Sequence, residues 1–183
     1  EDHMTSLILQ VKLDAILNVH MNAELGGDLD LTISTISSNQ HIINVPTMIG
    51  GQGIKGVRKF YSTRLLGQFF PPDVKFENVS RTYSEERLVV ELIISFTHNI
   101  KMDHILPGTE PIGKFVEAVF VVIIGIENDK VSYEHILWDQ AIVLVHVGLL
   151  DPKDLPVVGA GAAEKLRNPG LPDPFFKEEQ LLF

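Results

Sequence analysis

The sequence predicts an α+β fold in which helices pack on one face of a curved, mostly antiparallel sheet. Apolar residues recur at helical spacing in the first part of the chain, over residues 6–66. Residues 73–145, in contrast, contain long runs rich in Val, Ile, Leu, Phe and Thr, which are typical of strands. A length of 183 residues favours a single domain with its own core.

The helical part contains three predicted helices. The first covers residues 6–25 and ends at the glycine pair 26–27, and Asp28 is a suitable N-cap for a second, short helix. A short strand follows at residues 41–45 and stops at Pro46. After a glycine-rich turn, residues 54–66 form a third, amphipathic helix with Val57, Phe60, Tyr61 and Leu65 on its inner side.

The strand-rich part contains four predicted strands in a meander. Asn128–Asp129 is well suited to a tight hairpin turn between the last two, and the Pro- and Gly-containing residues 105–112 form a loop. The predicted strands are 73–83, 87–104, 113–127 and 130–145.

The chain changes character after Gly148. Residues 151–183 are rich in Pro and Gly, which indicates an extended tail rather than a second domain. Its apolar members suggest that it lies against residues 1–150 or against a partner subunit: Leu155, Val157, Val158, Leu171, Phe175 and Phe176.

Composition excludes several classes of function. The net charge of −9 argues against nucleic acid and anionic membranes as partners, since both attract clustered Lys and Arg. The absence of cysteine excludes disulfides, thiolate metal sites and a cysteine nucleophile. The longest apolar stretch, residues 116–126, is too short to span a bilayer, and residues 1–4 do not resemble a signal peptide. We expect a cytoplasmic protein.

Short motifs across nearly the whole chain resemble a known family. The chain resembles the SnoaL-like polyketide cyclases of the nuclear transport factor two-like superfamily at a loop, at the start of a strand and at the end of that strand. The matching residues are 111–113 (PIG) in the loop, 129–131 (DKV) at the strand start, and Asp139 and 148–149 (GL) toward the end. A subgroup of uncharacterised members is similar at further motifs: VPTMIGG at 45–51, VSRT at 79–82, FTH at 96–98, MD at 102–103, LPG at 106–108 and EHILWDQ at 134–140. Two residues depart from the pattern, Ile112 in place of Thr and Asn44 in place of His.

The resemblance implies a cone-shaped fold whose curved sheet encloses a pocket for a small apolar molecule. It also implies acid/base chemistry without a cofactor, an Asp on a strand as the acid/base group, and a homodimer formed through the outer sheet face. Asp139 stands at the matching position.

Alternation along residues 130–143 divides candidate residues between two faces. One face carries Tyr133, His135 and Asp139, and the other carries Glu134 and Trp138. We place the first face toward the pocket, with Asp139 as the acid/base and His135 as its partner. The alternative is that Asp139 caps a turn and His135 bonds within the sheet.

Other candidates are weaker. Asp103 lies at a strand end before a loop, where it either assists catalysis or bonds to backbone amides. Glu91 lies within an apolar run, where an unpaired charge is costly, so it is either paired or faces the pocket. Tyr133, Tyr61 and Trp138 are candidate ligand contacts, and His20, one helical turn from Glu24, is a candidate pocket residue.

No metal or nucleotide site is predicted. The seven histidines lack a metal-binding spacing with a carboxylate partner, and residues 50–53 (GGQG) lack the Lys-Ser/Thr of a phosphate loop. The leading hypothesis is a cofactor-free cyclase or isomerase acting on a small apolar carbonyl compound of polyketide or terpenoid type. The alternatives are an epoxide-hydrolase- or dehydratase-type enzyme of the same fold and a non-catalytic binding or dimerisation module.

Overall fold

Five helices and six strands build the described part of the protein. The structure, a computed structural model, describes residues 2–64 and 69–175. The helices are α1 (Asp2–Leu25), α2 (Leu29–Ser34), α3 (Gly53–Arg64), α4 (Gln140–Val147) and α5 (Gly161–Arg167). The strands are β1 (Ile36–Asn44), β2 (Ile49–Gln52), β3 (Lys75–Ser84), β4 (Arg87–Thr97), β5 (Phe115–Glu127) and β6 (Lys130–Trp138).

The strands form one mixed sheet in the order β2-β1-β6-β5-β4-β3. Every neighbouring pair is antiparallel except β1 and β6, which run parallel. Helices α1, α3 and α4 pack apolar side chains into the core on one face of the sheet, so the predicted α+β class is confirmed. Helix α5 lies on the opposite face, because its Arg167 pairs with Glu77 and Glu117, which share that face of β3 and β5.

The core lies between the inner face of the sheet and the helices. Along β4 the buried side chains alternate as a period of two requires, with Leu88, Val90, Leu92, Ile94 and Phe96 pointing inward. The helices contribute the facing apolar side chains: Leu13, Leu17, Val57 and Phe60.

Residues 140–147 form helix α4, although the apolar, β-branched sequence predicted a strand continuing to residue 145. Asp139 begins the helix because its side chain accepts a hydrogen bond from the Ala141 backbone N–H, at 2.8 Å. Gly148 ends it in the left-handed conformation, with φ of 77°. These two caps outweigh the weak strand preference of the side chains between them.

Smaller differences concern other boundaries. Strand β1 begins at Ile36, five residues earlier than predicted, and Ile49–Gln52 forms strand β2 where a turn was predicted. The predicted end of the third helix, with Leu65, lies outside the described residues, as does Phe176 of the tail.

The tail contains one short helix, α5, where an extended segment was predicted. Arg167 at its end bridges two strands, because its Nη2 lies 2.7 Å from carboxylate oxygens of both Glu77 on β3 and Glu117 on β5. Among residues 2–64 and 69–175, none of the helices has both the length and the apolar character needed to span a bilayer.

Candidate active site

Four polar side chains meet inside the apolar core. The buried stripe of α1 begins with Leu13 and Leu17 and continues at the same helical spacing with His20 and Glu24, so the helix carries two polar groups into the interior. Tyr61 from α3 and Glu134 from β6 complete the group, which we call the Glu-His-Tyr cluster. All four are buried, with exposed fractions of 0% for His20, 4% for Glu24, 1% for Tyr61 and 3% for Glu134.

His20 lies between the two carboxylates. Its Nε2 is 3.1 Å from Glu24 Oε1 and 3.5 Å from Glu134 Oε2. The Tyr61 hydroxyl donates a short hydrogen bond to Glu24 Oε1. Glu24 is therefore held by two donors, whereas Glu134 Oε2 makes no hydrogen bond within the described structure.

Thr35 defines which nitrogen of His20 faces the carboxylates. The Thr35 hydroxyl donates to the Thr32 carbonyl at 2.6 Å, so its oxygen accepts from His20 Nδ1, also at 2.6 Å. This network assigns a proton to Nδ1 and turns Nε2 toward Glu24 and Glu134.

The electrostatics follow from burial and mutual charge. Burial lowers the pKa of His20, but the carboxylates of Glu24 and Glu134 outweigh it and hold that pKa well above its usual value. Burial, followed by the charge of Glu24, raises the pKa of Glu134, with His20 partly opposing this. Burial and the same carboxylates raise the pKa of Tyr61, so at neutral pH it is a phenol beside an imidazolium.

Both carboxylates lie on the wall of a small cavity, of about 70 Å³, between α1 and the inner face of the sheet. Asn44 and His104 are the other strongly polar residues on that wall. Asn44 donates to the Ile49 carbonyl at 3.0 Å, and the His104 ring is stacked against Phe69, with ring centroids 4.8 Å apart. The remaining lining is apolar: Met21, Phe69, Phe70, Phe76, Leu92, Ile94, Ile105, Phe120, Val122 and Ile136.

His20, Glu24 and Glu134 are also the residues whose spacing fits a metal ion. One ligand atom from each lies within 4.8 Å of the others, and His20 presents Nε2 with Nδ1 already bonded, as metal-binding histidines do. The protonated His20, however, already supplies a positive charge between the carboxylates. A metal would have to displace that proton, so the cluster is electrically compensated as an acid/base centre without an ion.

The face of β6 that we predicted to line the pocket points the other way, so this prediction is wrong. His135 lies on the outer face, where its Nε2 is 2.8 Å from Nε2 of His41, and the Tyr133 ring stacks on His41 with centroids 5.4 Å apart. Gly125 on the neighbouring strand leaves room for Tyr133, since a Cβ there would lie 2.1 Å from its Cε1. Alternation defines two faces of a strand but does not say which one the helices cover.

Three predicted acidic residues also lie away from the cluster, which corrects their placement near a pocket. Asp139 is the N-cap of α4, and Asp103 accepts a hydrogen bond from the Gly108 backbone N–H at 2.9 Å. Glu91 lies on the outer sheet face and accepts from the Ser80 hydroxyl at 2.8 Å. Asp139 and Asp103 thus follow the alternative in which an Asp stabilises a turn or a helix start.

His20 and Tyr61, two other candidates, are both in the Glu-His-Tyr cluster. Trp138 points inward but packs on Phe120, with ring centroids 5.2 Å apart, and donates to Gln140 at 2.6 Å. Glu134 and Glu24 were not among the predicted site residues. The sequence signal for these residues was a charged side chain at a position where the periodicity predicts an inward-facing apolar one. Glu134 lies two residues before Ile136 on β6, and Glu24 follows Leu13 and Leu17 on α1.

Comparison with known proteins identifies the fold. No family model and no curated protein matches the chain, whereas many solved structures do. AclR, a proposed hydroxylase from Streptomyces galilaeus, is 20% identical, with 82% of this chain and 87% of that chain covered and a TM-score of 0.56. A proposed polyketide cyclase from Acidithiobacillus ferrooxidans is 16% identical, with 76% and 96% covered and a TM-score of 0.58. A proposed SnoaL-like polyketide cyclase from Jannaschia sp. CCS1 is 12% identical, with 74% and 93% covered and a TM-score of 0.55.

The chain therefore has the fold of the SnoaL-like polyketide cyclases, as the sequence motifs predicted. At these identities the likeness concerns the fold, and the chemistry has to be argued from the side chains of this chain.

Proposed function

We propose that the protein is an acid/base enzyme that moves a proton next to the carbonyl group of a small apolar molecule, in the manner of an isomerase or cyclase. The observation that carries this proposal is the position of Glu134. Its carboxyl group is buried at the wall of an apolar cavity and lacks the hydrogen bonds that hold Glu24. Its compensation comes mainly from the charge of His20, whose Nε2 lies 3.5 Å from Glu134 Oε2. A buried carboxyl group on an apolar wall is costly to a fold, and groups of this kind are common at functional sites.

Glu134 is the proposed base. Burial and the neighbouring Glu24 raise its pKa, which makes its carboxylate a stronger base than one in water. A proton taken from the carbon beside a carbonyl passes to Glu134 Oε2, and the electron pair moves onto the carbonyl oxygen as an enolate. Where the enolate is conjugated with a double bond, return of that proton to the remote carbon gives an isomer. Where the enolate carbon attacks a second carbonyl of the same molecule, a ring closes and the new alkoxide takes the proton back from Glu134.

Glu24, His20 and Tyr61 are proposed as the support of this base. Glu24 accepts from Tyr61 and lies 3.1 Å from His20 Nε2, and together with Glu134 it holds the pKa of His20 above its usual value. The imidazolium lies 3.5 Å from Glu134 Oε2, so a positive charge stays beside the cavity while the negative charge moves from that carboxylate to the enolate oxygen. Asn44 and His104 line the same cavity and are the residues proposed to face the enolate oxygen.

The proposal is tested by hydrogen–deuterium exchange of a simple ketone. The protein is mixed with 1-tetralone in D₂O, binding is measured by the change in the ligand's NMR signals, and loss of the α-proton signal is followed in the same sample. We expect exchange well above the rate in buffer, and the same rate after treatment with EDTA, because no metal enters the proposed step.

A ketone that binds but exchanges no faster than in buffer would contradict the proposal. That result favours a non-catalytic binding protein, the second candidate, since an apolar cavity binds such ligands without any reaction. Exchange that EDTA abolishes would instead assign His20, Glu24 and Glu134 to a metal.

A further inference from the structure

A second cavity adjoins the one at Glu134. It has a volume of about 190 Å³ and lies between α1 and strands β3, β4 and β5. The two cavities share four lining residues, Met21, Phe76, Leu92 and Val122. They therefore lie side by side along the inner face of the sheet, divided by these four side chains, with Glu134 on the wall of the first cavity.

The boundary between the cavities is formed by side chains that can move. Leu92 and Val122 belong to the central strands β4 and β5, whereas Met21 is half-buried on α1 and Phe76 is 37% exposed on the edge strand β3. Methionine is unbranched and adapts to what packs against it. A ligand can thus occupy both cavities by displacing Met21 and Phe76 while the sheet stays in place.

The outer end of the second cavity is polar but electrically compensated. Asn18, Asn78 and Arg81 line it. Arg81 donates through Nε to the Asn78 side-chain oxygen at 2.9 Å and forms a close ion pair with Asp14. Tyr83 also donates to Asp14, at 2.9 Å.

These contacts determine which chemical group of a ligand can bind at the outer end of the second cavity. Because the charge of Arg81 is already paired with Asp14, an incoming carboxylate would have to compete with Asp14 and lose its own hydration. A hydroxyl or carbonyl oxygen has no such cost and can bond to the amides of Asn18 and Asn78.

We propose that the substrate is an elongated, uncharged, apolar ketone that fills both cavities, with its reacting carbonyl beside Glu134 and a neutral oxygen substituent beside Asn18 and Asn78. The position of the reacting carbonyl rests on the function proposed above, whereas the shape and the neutral outer end rest on the two cavities alone.

Three rigid ketones that differ only at the end remote from the carbonyl test the inference: 1-tetralone, 6-hydroxy-1-tetralone and 1-tetralone-6-carboxylate. Their affinities for the Glu134→Gln variant are measured by titration calorimetry, so that binding is read without any reaction. We expect the hydroxyl compound to bind about 3- to 10-fold more tightly than 1-tetralone, as one added hydrogen bond permits, and the carboxylate to bind most weakly.

Two variants and one control variant locate the effect. Asn78→Leu is expected to remove the preference for the hydroxyl compound over 1-tetralone, while Asn22→Leu, an exposed change on the same helix as Met21, leaves that preference in place. Met21→Trp is expected to close the boundary and weaken all three ketones. Equal affinities, tightest binding of the carboxylate, or no effect of Met21→Trp would overturn the inference. If instead the preference holds and exchange fails, the proposed function fails while the elongated binding site stands.

Discussion

Replacing Glu134 with glutamine is expected to lower the rate constant for α-proton exchange by about 10²–10⁴-fold, the usual contribution of a positioned general base. Glutamine keeps the size and shape of the side chain but cannot accept the proton. The substitution also removes a charge that is buried at 3% exposure, so the free energy of unfolding should stay the same or rise. Ketone binding should change little, and the loss will appear in kcat rather than in affinity.

The matched control is Glu127→Gln, which makes the same chemical change at an exposed position at the end of β5. It should leave exchange, binding and unfolding unchanged. If Glu134→Gln retains most of the exchange activity of the wild-type protein, the base is another group and the assignment of Glu134 is wrong.

Replacing His20 with leucine is expected to lower the free energy of unfolding by about 3–5 kcal/mol at neutral pH, the typical cost of removing one partner from a buried ion pair. The variant leaves Glu24 and Glu134 inside the core without the positive charge between them. Chemical denaturation followed by circular dichroism measures this loss.

The pH dependence separates this effect from lost packing. In the leucine variant, burial and the charge of Glu24 still raise the pKa of Glu134 in the folded state, and the opposing charge of His20 is gone. The folded variant then binds more protons, so its stability should recover as the pH falls and decrease as the pH rises. The double variant His20→Leu/Glu24→Gln should recover much of the stability at neutral pH. A loss below about 1 kcal/mol, equal at all pH values, would mean that His20 is an ordinary core residue.

Much of the fold was predictable because the spacing of hydrophobic residues along the sequence reflects which side chains are buried. The α1 pattern and the alternation along β4 and β5 follow from the covered faces of these elements. Helix α4 was not predictable in this way, because Ala141 to Val147 are apolar or β-branched at nearly every position and show no periodicity. Its boundaries depend on Asp139 and Gly148, whose capping roles resemble a strand-end Asp and a turn Gly until the structure places them.

The candidate site was harder to predict than the fold. The alternation of side chains along β6 correctly assigned Glu134 and His135 to opposite faces of the sheet. The choice of which face lines the pocket depended on the resemblance of Asp139 to a family position, and that choice was wrong. The parallel pairing of β6 with β1, which comes from a distant part of the sequence, brings His41 to His135 on the outer face. His20 and Tyr61 were predicted as candidates, whereas their common partner Glu24 was not predicted to belong to the site.

The central claim is that Glu134 is a buried, titratable carboxyl group that acts on the cavity, and an NMR titration of the glutamate carboxyl carbons tests it most directly. The signal absent from Glu134→Gln identifies the residue. We expect its pKa to lie above its usual value of 4.5, and the exchange rate to rise with pH over the same range, because the carboxylate is the reactive form. A Glu134 signal that titrates at or below its usual value, or an exchange rate that does not follow its titration, would contradict the account.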